Sequence, residues 1–238
     1  MKIIVLSITP YKEKDAIINA ITEKETITFL AKGLKNPKSK NAPLNNILTV
    51  ADIELMDGNF KHPILKSSKP LSSSLKVEMD AEYLASLLIM DEMMLNLFPE
   101  EDQYIMFQHL ESALENLRNN NDWLMTLLLF MARAIHLGGF QLEVNKCVIC
   151  GTTKNIVTFS FSDGGFICQN CYQAEMGRDL SKNQMLLLRK IINCPDYRLQ
   201  SADYAHEDLM TILNRFVQYI EEAFGYHFKN IRLLINSK

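Results

Sequence analysis

The sequence predicts an α+β chain of more than one domain: a small β-barrel over residues 1–79, then a helical region over residues 80–238 into which a cysteine module is inserted. Three observations predict it. Short runs rich in Ile, Val, Leu, Thr and Phe fill the first 80 residues, the apolar period lengthens to the helical one after Asp80, and four of the five cysteines form two Cys-x-x-Cys pairs.

Strands are expected at Lys2 to Thr9, Thr26 to Ala31, Ile47 to Met56, Phe60 to Lys66 and Leu71 to Glu78, and five is the count of a small barrel. Asp52-Ile53-Glu54-Leu55 alternates polar with apolar, as a half-buried strand does. Asp57-Gly58 suits a tight hairpin turn, whereas Asn36 to Pro43 is a polar loop interrupted by proline.

Helices follow. Leu84, Leu87, Leu88, Leu95 and Phe98 form one stripe between the cap residue Asp80 and the stop at Pro99. Tyr104, Phe107, Leu110, Leu114 and Leu117 form a second, with a turn at Asn119 to Asn121. Asp122 caps Trp123 to Leu137, which is apolar nearly all round, is expected at the centre of a bundle, and ends at Gly138-Gly139. Ser181 to Gln184 is a capping box before a helix reaching Ile192, and a last stripe from Leu209 to Phe224 is ended by Gly225.

Cys147-x-x-Cys150 and Cys168-x-x-Cys171 are separated by seventeen residues, a spacing that suits one zinc ion held by four thiolates. Four sulfurs fill a tetrahedral shell, so such a site is structural and leaves no position for water or substrate. Ile156 to Phe161 and Phe166 to Cys168 can pair across Asp163-Gly164-Gly165, giving a hairpin that the metal would staple. Redox chemistry by either pair is the competing reading, disfavoured because no thioredoxin-like strand and helix adjoin them. Nucleic-acid contact by the hairpin has only Lys146 and Lys154 to offer against Asp163. Cys194 reads as a small buried apolar residue.

Composition is ordinary for a globular protein, with 47% hydrophobic and 22% charged residues. The longest apolar stretch, Trp123 to Ala132, falls short of the roughly 20 residues of a membrane span. The apolar run after Met1 is too short for a signal-peptide core, and a cytoplasmic location is expected. The net charge of −3 conceals a local excess: from Thr26 to Ala51 there is no acidic side chain, while Lys32, Lys35, Lys38 and Lys40 lie within it. Such a loop can neutralise successive phosphates, with Phe29 or Phe60 stacking bases, or it can be a solvated loop in a Lys-rich segment. Lys12 and Lys14 are weaker candidates because Glu13 and Asp15 interleave with them. Phosphate loops, dinucleotide fingerprints, His-Glu-x-x-His and Gly-x-Ser-x-Gly are all absent from the sequence. The histidines are scattered singly, and the pairs Asp91-Glu92 and Glu221-Glu222 read as solvated helix faces.

Several short motifs occur in a particular order. They are Tyr11-x-Glu13-x-Asp15 after the first strand, Ala31-Lys32-Gly33 before a basic segment ending at Ser39, and Leu137-Gly138-Gly139-Phe140 leading into Cys147-Val148-Ile149-Cys150-Gly151. Gly164-Gly165 before Cys168-x-x-Cys171, Leu180-Ser181, Tyr219-Ile220 and Phe224-Gly225 complete the series. In order and spacing the chain resembles the bacterial RecO recombination mediators over nearly its whole length. The resemblance implies an N-terminal OB-fold, a helical domain and, in many members, a four-cysteine zinc site. It also implies a non-enzymatic activity: binding single- and double-stranded DNA, annealing complementary strands, and helping to load RecA, together with RecR, onto DNA coated by single-strand-binding protein. Association with the bacterial nucleoid would follow. Lys32, Lys35, Lys38 and Lys40 stand where relatives usually carry arginines, and lysine supplies point charges without the bidentate guanidinium fork. Glu23-Lys24-Glu25 replaces a turn where a glycine is common. The family's pocket for the acidic tail of single-strand-binding protein would lie in the helical domain, with Arg133, His136, Arg178 and Arg189 as candidate rim residues. A zinc-stabilised scaffold that binds only proteins is the alternative function.

Overall fold

A computed structural model describes residues 1–56, 62–73, 80–120, 122–176 and 180–235. The chain forms two compact units, Met1–Asn121 with Lys229–Lys238, and Asp122–Phe228.

In the first unit, strands β1 (Lys2–Tyr11), β2 (Asp15–Ile21), β3 (Thr26–Ala31), β4 (Val50–Met56) and β5 (Ile64–Ser72) close into a barrel in the order β1-β2-β3-β5-β4. Closure comes from two pairings. β1 meets β4 antiparallel from Lys2 opposite Asp52 to Ile4 opposite Val50, and β3 meets β5 in parallel at Leu30 opposite Ile64. This is the five-stranded Greek-key barrel of the OB-fold. Alternate residues point inward, so Ile3, Val5, Ala16, Ile18, Ala20, Phe29, Ala31, Ala51, Ile53 and Leu65 form one core. Leu34 and Leu44, from the connection between β3 and β4, join that core.

Two expectations about the strands change. β2 was not anticipated, because its inward positions Ala16, Ile18 and Ala20 include two alanines, which are weak strand formers. β5 runs unbroken through Ser67, Ser68 and Lys69, where a gap between two strands was expected, because β4 supplies partners for that polar stretch. Its Pro70, which has no N–H to donate, sits beside the register shift at Val50/Ala51. Phe60, the Asp57-Gly58 turn and residues 74–79 of the expected last strand lie outside the described residues.

The same unit contains α1 (Ala81–Leu97), a 3₁₀ turn at Glu100–Met106, α2 (Phe107–Asn120) and a short C-terminal helix, Arg232–Ile235. The Asp80 carboxylate caps α1 by accepting the Tyr83 N–H at 2.7 Å. α1 buries Tyr83, Leu87, Met90, Met94 and Leu97, while Leu84 and Leu95 of the expected stripe stay exposed. Asp91 and Glu92 are not on a solvated face: they are only 8% and 6% exposed. Glu92 accepts the backbone N–H groups of Lys229 at 2.6 Å and Asn230 at 3.1 Å and the Asn230 side-chain amide at 2.9 Å, which ties the C-terminal segment to α1.

In the second unit, α3 (Trp123–Leu137) is buried without a break from Leu124 to Ala132, as its all-round apolar sequence requires, and packs against α4 (Lys182–Asn193) and α5 (His206–Phe224). Asp122 accepts from Met125 N–H at 3.2 Å and from the Ser201 hydroxyl and N–H at 2.6 Å each. Both halves of the Ser181–Gln184 capping box form. Gly138 is needed for space, since a Cβ there would lie 2.4 Å from the Phe224 ring, and Gly139 for its φ of +89°. Between α3 and α4, strands β6 (Glu143–Cys147), β7 (Ile156–Ser160) and β8 (Gly165–Cys168) make a small sheet in the order β6-β8-β7.

Candidate metal centre and nucleic-acid interface

The small sheet brings the two cysteine pairs together. Cys147 ends β6 and Cys168 ends β8, and each is followed by a tight turn carrying the second cysteine of its pair. Gly151 N–H bonds the Cys147 carbonyl at 2.8 Å, and Cys171 N–H bonds the Cys168 carbonyl at 3.1 Å. The four Sγ atoms lie within 4.8 Å of one another, with Cys150 and Cys168 at 3.6 Å. A tetrahedral metal with bonds of about 2.3 Å requires sulfurs about 3.8 Å apart, so the cluster can hold such an ion. β6 and β8 approach closely because Gly165 has no side chain: a Cβ would stand 2.8 Å from the Glu143 carbonyl oxygen.

Each sulfur of the cluster affects the ionisation of the others. Burial works against a thiolate at Cys147, but the N–H groups of Cys150, Cys168 and Ile149 outweigh it and lower that thiol to about 6. Its hydrogen bond with Cys150, then burial and the Cys147 charge, push Cys171 up to about 12. Four sulfurs at this spacing repel one another when ionised, so only a positive ion among them allows all four to act as thiolates. Pooling both pairs into one cluster also argues against two separate redox dithiols. Cys194, outside the cluster, is buried and bonds the Asp196 carbonyl at 2.7 Å.

The lysine loop is a chain of turns. Asn36 N–H bonds Gly33 O at 3.1 Å, Ser39 N–H bonds Asn36 O at 2.8 Å, and Ala42 N–H bonds Ser39 O at 3.0 Å. Buried Leu34 and Leu44 fasten its two ends in the barrel, and Ser68 bonds Asn41 Oδ1 at 2.7 Å. Lys32, Lys35, Lys38 and Lys40 are all exposed on it. Phe29, by contrast, is fully buried in the barrel core and cannot stack on a base, which corrects the expectation for it; strand alternation turned it inward.

Arg133 and His136, one turn apart on α3, line a cavity of about 450 Å³ with Gln141, Glu143, Asn145 and Asn193. Arg133 also caps the end of α4, donating from Nη2 to the carbonyls of Ile192 at 3.1 Å and of Cys194. Arg189 is exposed on α4 and is not among the residues lining the cavity, and Arg178 lies outside the described residues. No helix among the described residues is long and apolar enough to cross a membrane.

Comparison with known proteins joins these parts. The family model for Recombination protein O N terminal matches residues 1–72, and that for Recombination protein O C terminal matches residues 79–230. The chain belongs to the RecO family of DNA repair proteins. DNA repair protein RecO of Halalkalibacterium halodurans is 24% identical over 235 residues, covering 97% of this chain and 92% of the relative. That of Bacillus pumilus is 25% identical over 235 residues, covering 97% and 91%. That of Dehalococcoides mccartyi is 28% identical over 194 residues, covering 80% and 76%.

For this RecO chain, three features of the sites were not read from the sequence. The Arg133 cap depends on carbonyls 59 and 61 residues away. The burial of Asp91 and Glu92 depends on tertiary packing that no local pattern encodes. The link between the first hairpin and the lysine loop, from Gly33 N–H to Asp15 Oδ1 at 2.8 Å, had one available signal: Asp15 is the last residue of the Tyr11-x-Glu13-x-Asp15 motif.

Proposed function

We propose that this chain is a DNA-binding recombination mediator in which Lys32, Lys35, Lys38 and Lys40 of an N-terminal domain, residues 1–79, neutralise phosphates. The observation that carries the reading is the lysine loop itself, exposed, free of acidic side chains from Thr26 to Ala51, and fastened at both ends to an OB barrel. Pre-ordered cations on such a barrel bind backbone phosphates with little regard to sequence. One surface that neutralises two strands lowers their mutual repulsion and leaves pairing to the bases, which is annealing. With RecR, the chain would help to load RecA onto DNA coated by single-strand-binding protein, a role that membership of the RecO family supports. No bond is made or broken in this activity. Residues 80–238 serve as the partner-binding domain, the metal is one structural zinc ion, and the protein acts in the bacterial cytoplasm at the nucleoid. The Arg133–His136 cavity is the place offered to the acidic tail of single-strand-binding protein, with Arg189 and Arg178 as further candidate contacts.

Salt titration of single-stranded DNA binding tests the reading. Four neutralised phosphates give a slope of about −2.8 in log affinity against log salt, at about 0.7 per contact. Changing the four lysines to alanine should flatten that contribution. An unchanged slope moves the DNA site away from this loop, whereas a wild-type chain that ignores DNA at low salt favours the protein-binding scaffold.

A further inference from the structure

The barrel needs an aromatic platform if it is to hold single strands by stacking, and the structure narrows the choice. Residues 1–79 contain three Phe or Tyr side chains and no Trp: Tyr11, Phe29 and Phe60. Phe29 is buried, and Phe60 lies outside the described residues. Tyr11 is 41% exposed, at the end of β1, where the chain turns into β2.

Its surroundings are cationic. Lys12 follows it with a φ of +54°, a backbone state uncommon for a residue with a side chain, and its ammonium lies 5.4 Å from the centre of the Tyr11 ring. Lys14 is exposed on the same turn. The turn is fastened to the lysine loop by two hydrogen bonds, from Lys35 N–H to the Lys14 carbonyl at 3.1 Å and from Gly33 N–H to Asp15 Oδ1 at 2.8 Å. The acidic residues that seemed to cancel Lys12 and Lys14 therefore differ in role. Asp15 is engaged by the loop backbone, and Glu13 alone remains as an exposed acid on the turn.

We propose that Tyr11 is a base-stacking residue, and that the β1–β2 turn and the lysine loop form one continuous strip for single-stranded nucleic acid. This rests on the DNA-binding reading above and adds to it a specificity element. A ring can stack on an unpaired base of any identity, whereas the bases of a duplex are already stacked on each other. Lys12 and Lys14 continue the line of cations begun by Lys32 and Lys35, so the backbone runs from the loop across the turn while a base settles on Tyr11. An ammonium over an exposed ring is held weakly, so Lys12 yields that face to a base and turns to a neighbouring phosphate.

The test compares the wild-type chain with Tyr11→Ala and Tyr11→Phe, using an oligo-dT strand and a duplex of equal length at fixed salt. Tyr11→Ala should weaken single-strand binding by about 5- to 150-fold, the range for loss of one base stack, and leave duplex binding within about twofold. Its salt slope should not change, because no cation is lost. Tyr11→Phe should bind like wild type. A strand carrying 5-iodouracil should photocrosslink to the wild-type chain at Tyr11, a readout that does not depend on the folding of any variant. If the wild-type chain binds the single strand with the expected salt dependence but Tyr11→Ala is unaffected and no crosslink maps to Tyr11, the stacking role is overturned while the lysine interface stands. If the wild-type chain ignores the oligonucleotide, the DNA-binding reading falls and this one with it.

Discussion

Replacing Glu92 by glutamine should free the C-terminal segment from α1. The buried Glu92 carboxylate accepts three N–H donors, two from Asn230 on Oε2 and one from Lys229 on Oε1. Glutamine retains a single acceptor oxygen, and its amide nitrogen must face at least one of those donors with another donor. Hydrogen bonds to a charged acceptor contribute about 1.5–3 kcal/mol each, and a buried donor left unpaired costs about 1–3 kcal/mol. Because Lys229 is exposed and water can reach its N–H, the net destabilisation should be about 2–4 kcal/mol. For a chain of this size that lowers Tm by about 5–15 °C. Hydrogen exchange gives the local readout: the amides of Lys229 and Asn230 should lose protection, even where the barrel itself stays folded. Unchanged protection of those two amides in Glu92→Gln would show that the carboxylate does not hold the segment.

Asp91, next to Glu92, has its carboxyl pushed up from 3.8 to about 7, first by burial and then by the Glu92 charge, and its Oδ1 has no hydrogen-bond partner. The folded chain therefore binds this proton more tightly than the unfolded chain does. Its contribution is complete below about pH 4, falls as pH rises towards 7, and is spent above that. The change is on the order of 4 kcal/mol, and urea unfolding of Asp91→Asn between pH 4.5 and 7.5 should lack that part of the slope; an identical slope would refute it. Removing the metal with a chelator should unfold residues 145–172 while leaving most helical circular dichroism intact, because such sites draw much of their folding energy from the ion. Cys147→Ser should lose stoichiometric zinc by elemental analysis, and retained zinc would overturn the ligand set.

What the sequence disclosed and what it hid follow from the range of the interactions. The caps Asp80, Asp122 and Ser181 act over three residues, and all three appear where the local pattern places them. The cysteine spacing is equally local, and the sheet brings the four sulfurs together. β2 carries a weak strand signal because two of its inward positions are the alanines Ala16 and Ala20, whose burial in the barrel core is set by tertiary packing and not by local pattern. The burial of Glu92 has no local signal because its partners lie 137 and 138 residues along the chain. Phe29 was misjudged as a stacking residue because aromatic character alone does not tell which side of a strand faces inward.

The anchoring of the lysine loop bears on how such a protein can change. Between Leu34 and Leu44 no residue is buried, so none of the intervening side chains helps to fill the barrel. If the loop meets phosphates as proposed, substitutions of its lysines can strengthen or relax that grip while the domain folds as before. Adhesion and foldedness thus become separately adjustable traits, and drift within that short surface segment is enough to move the first without endangering the second.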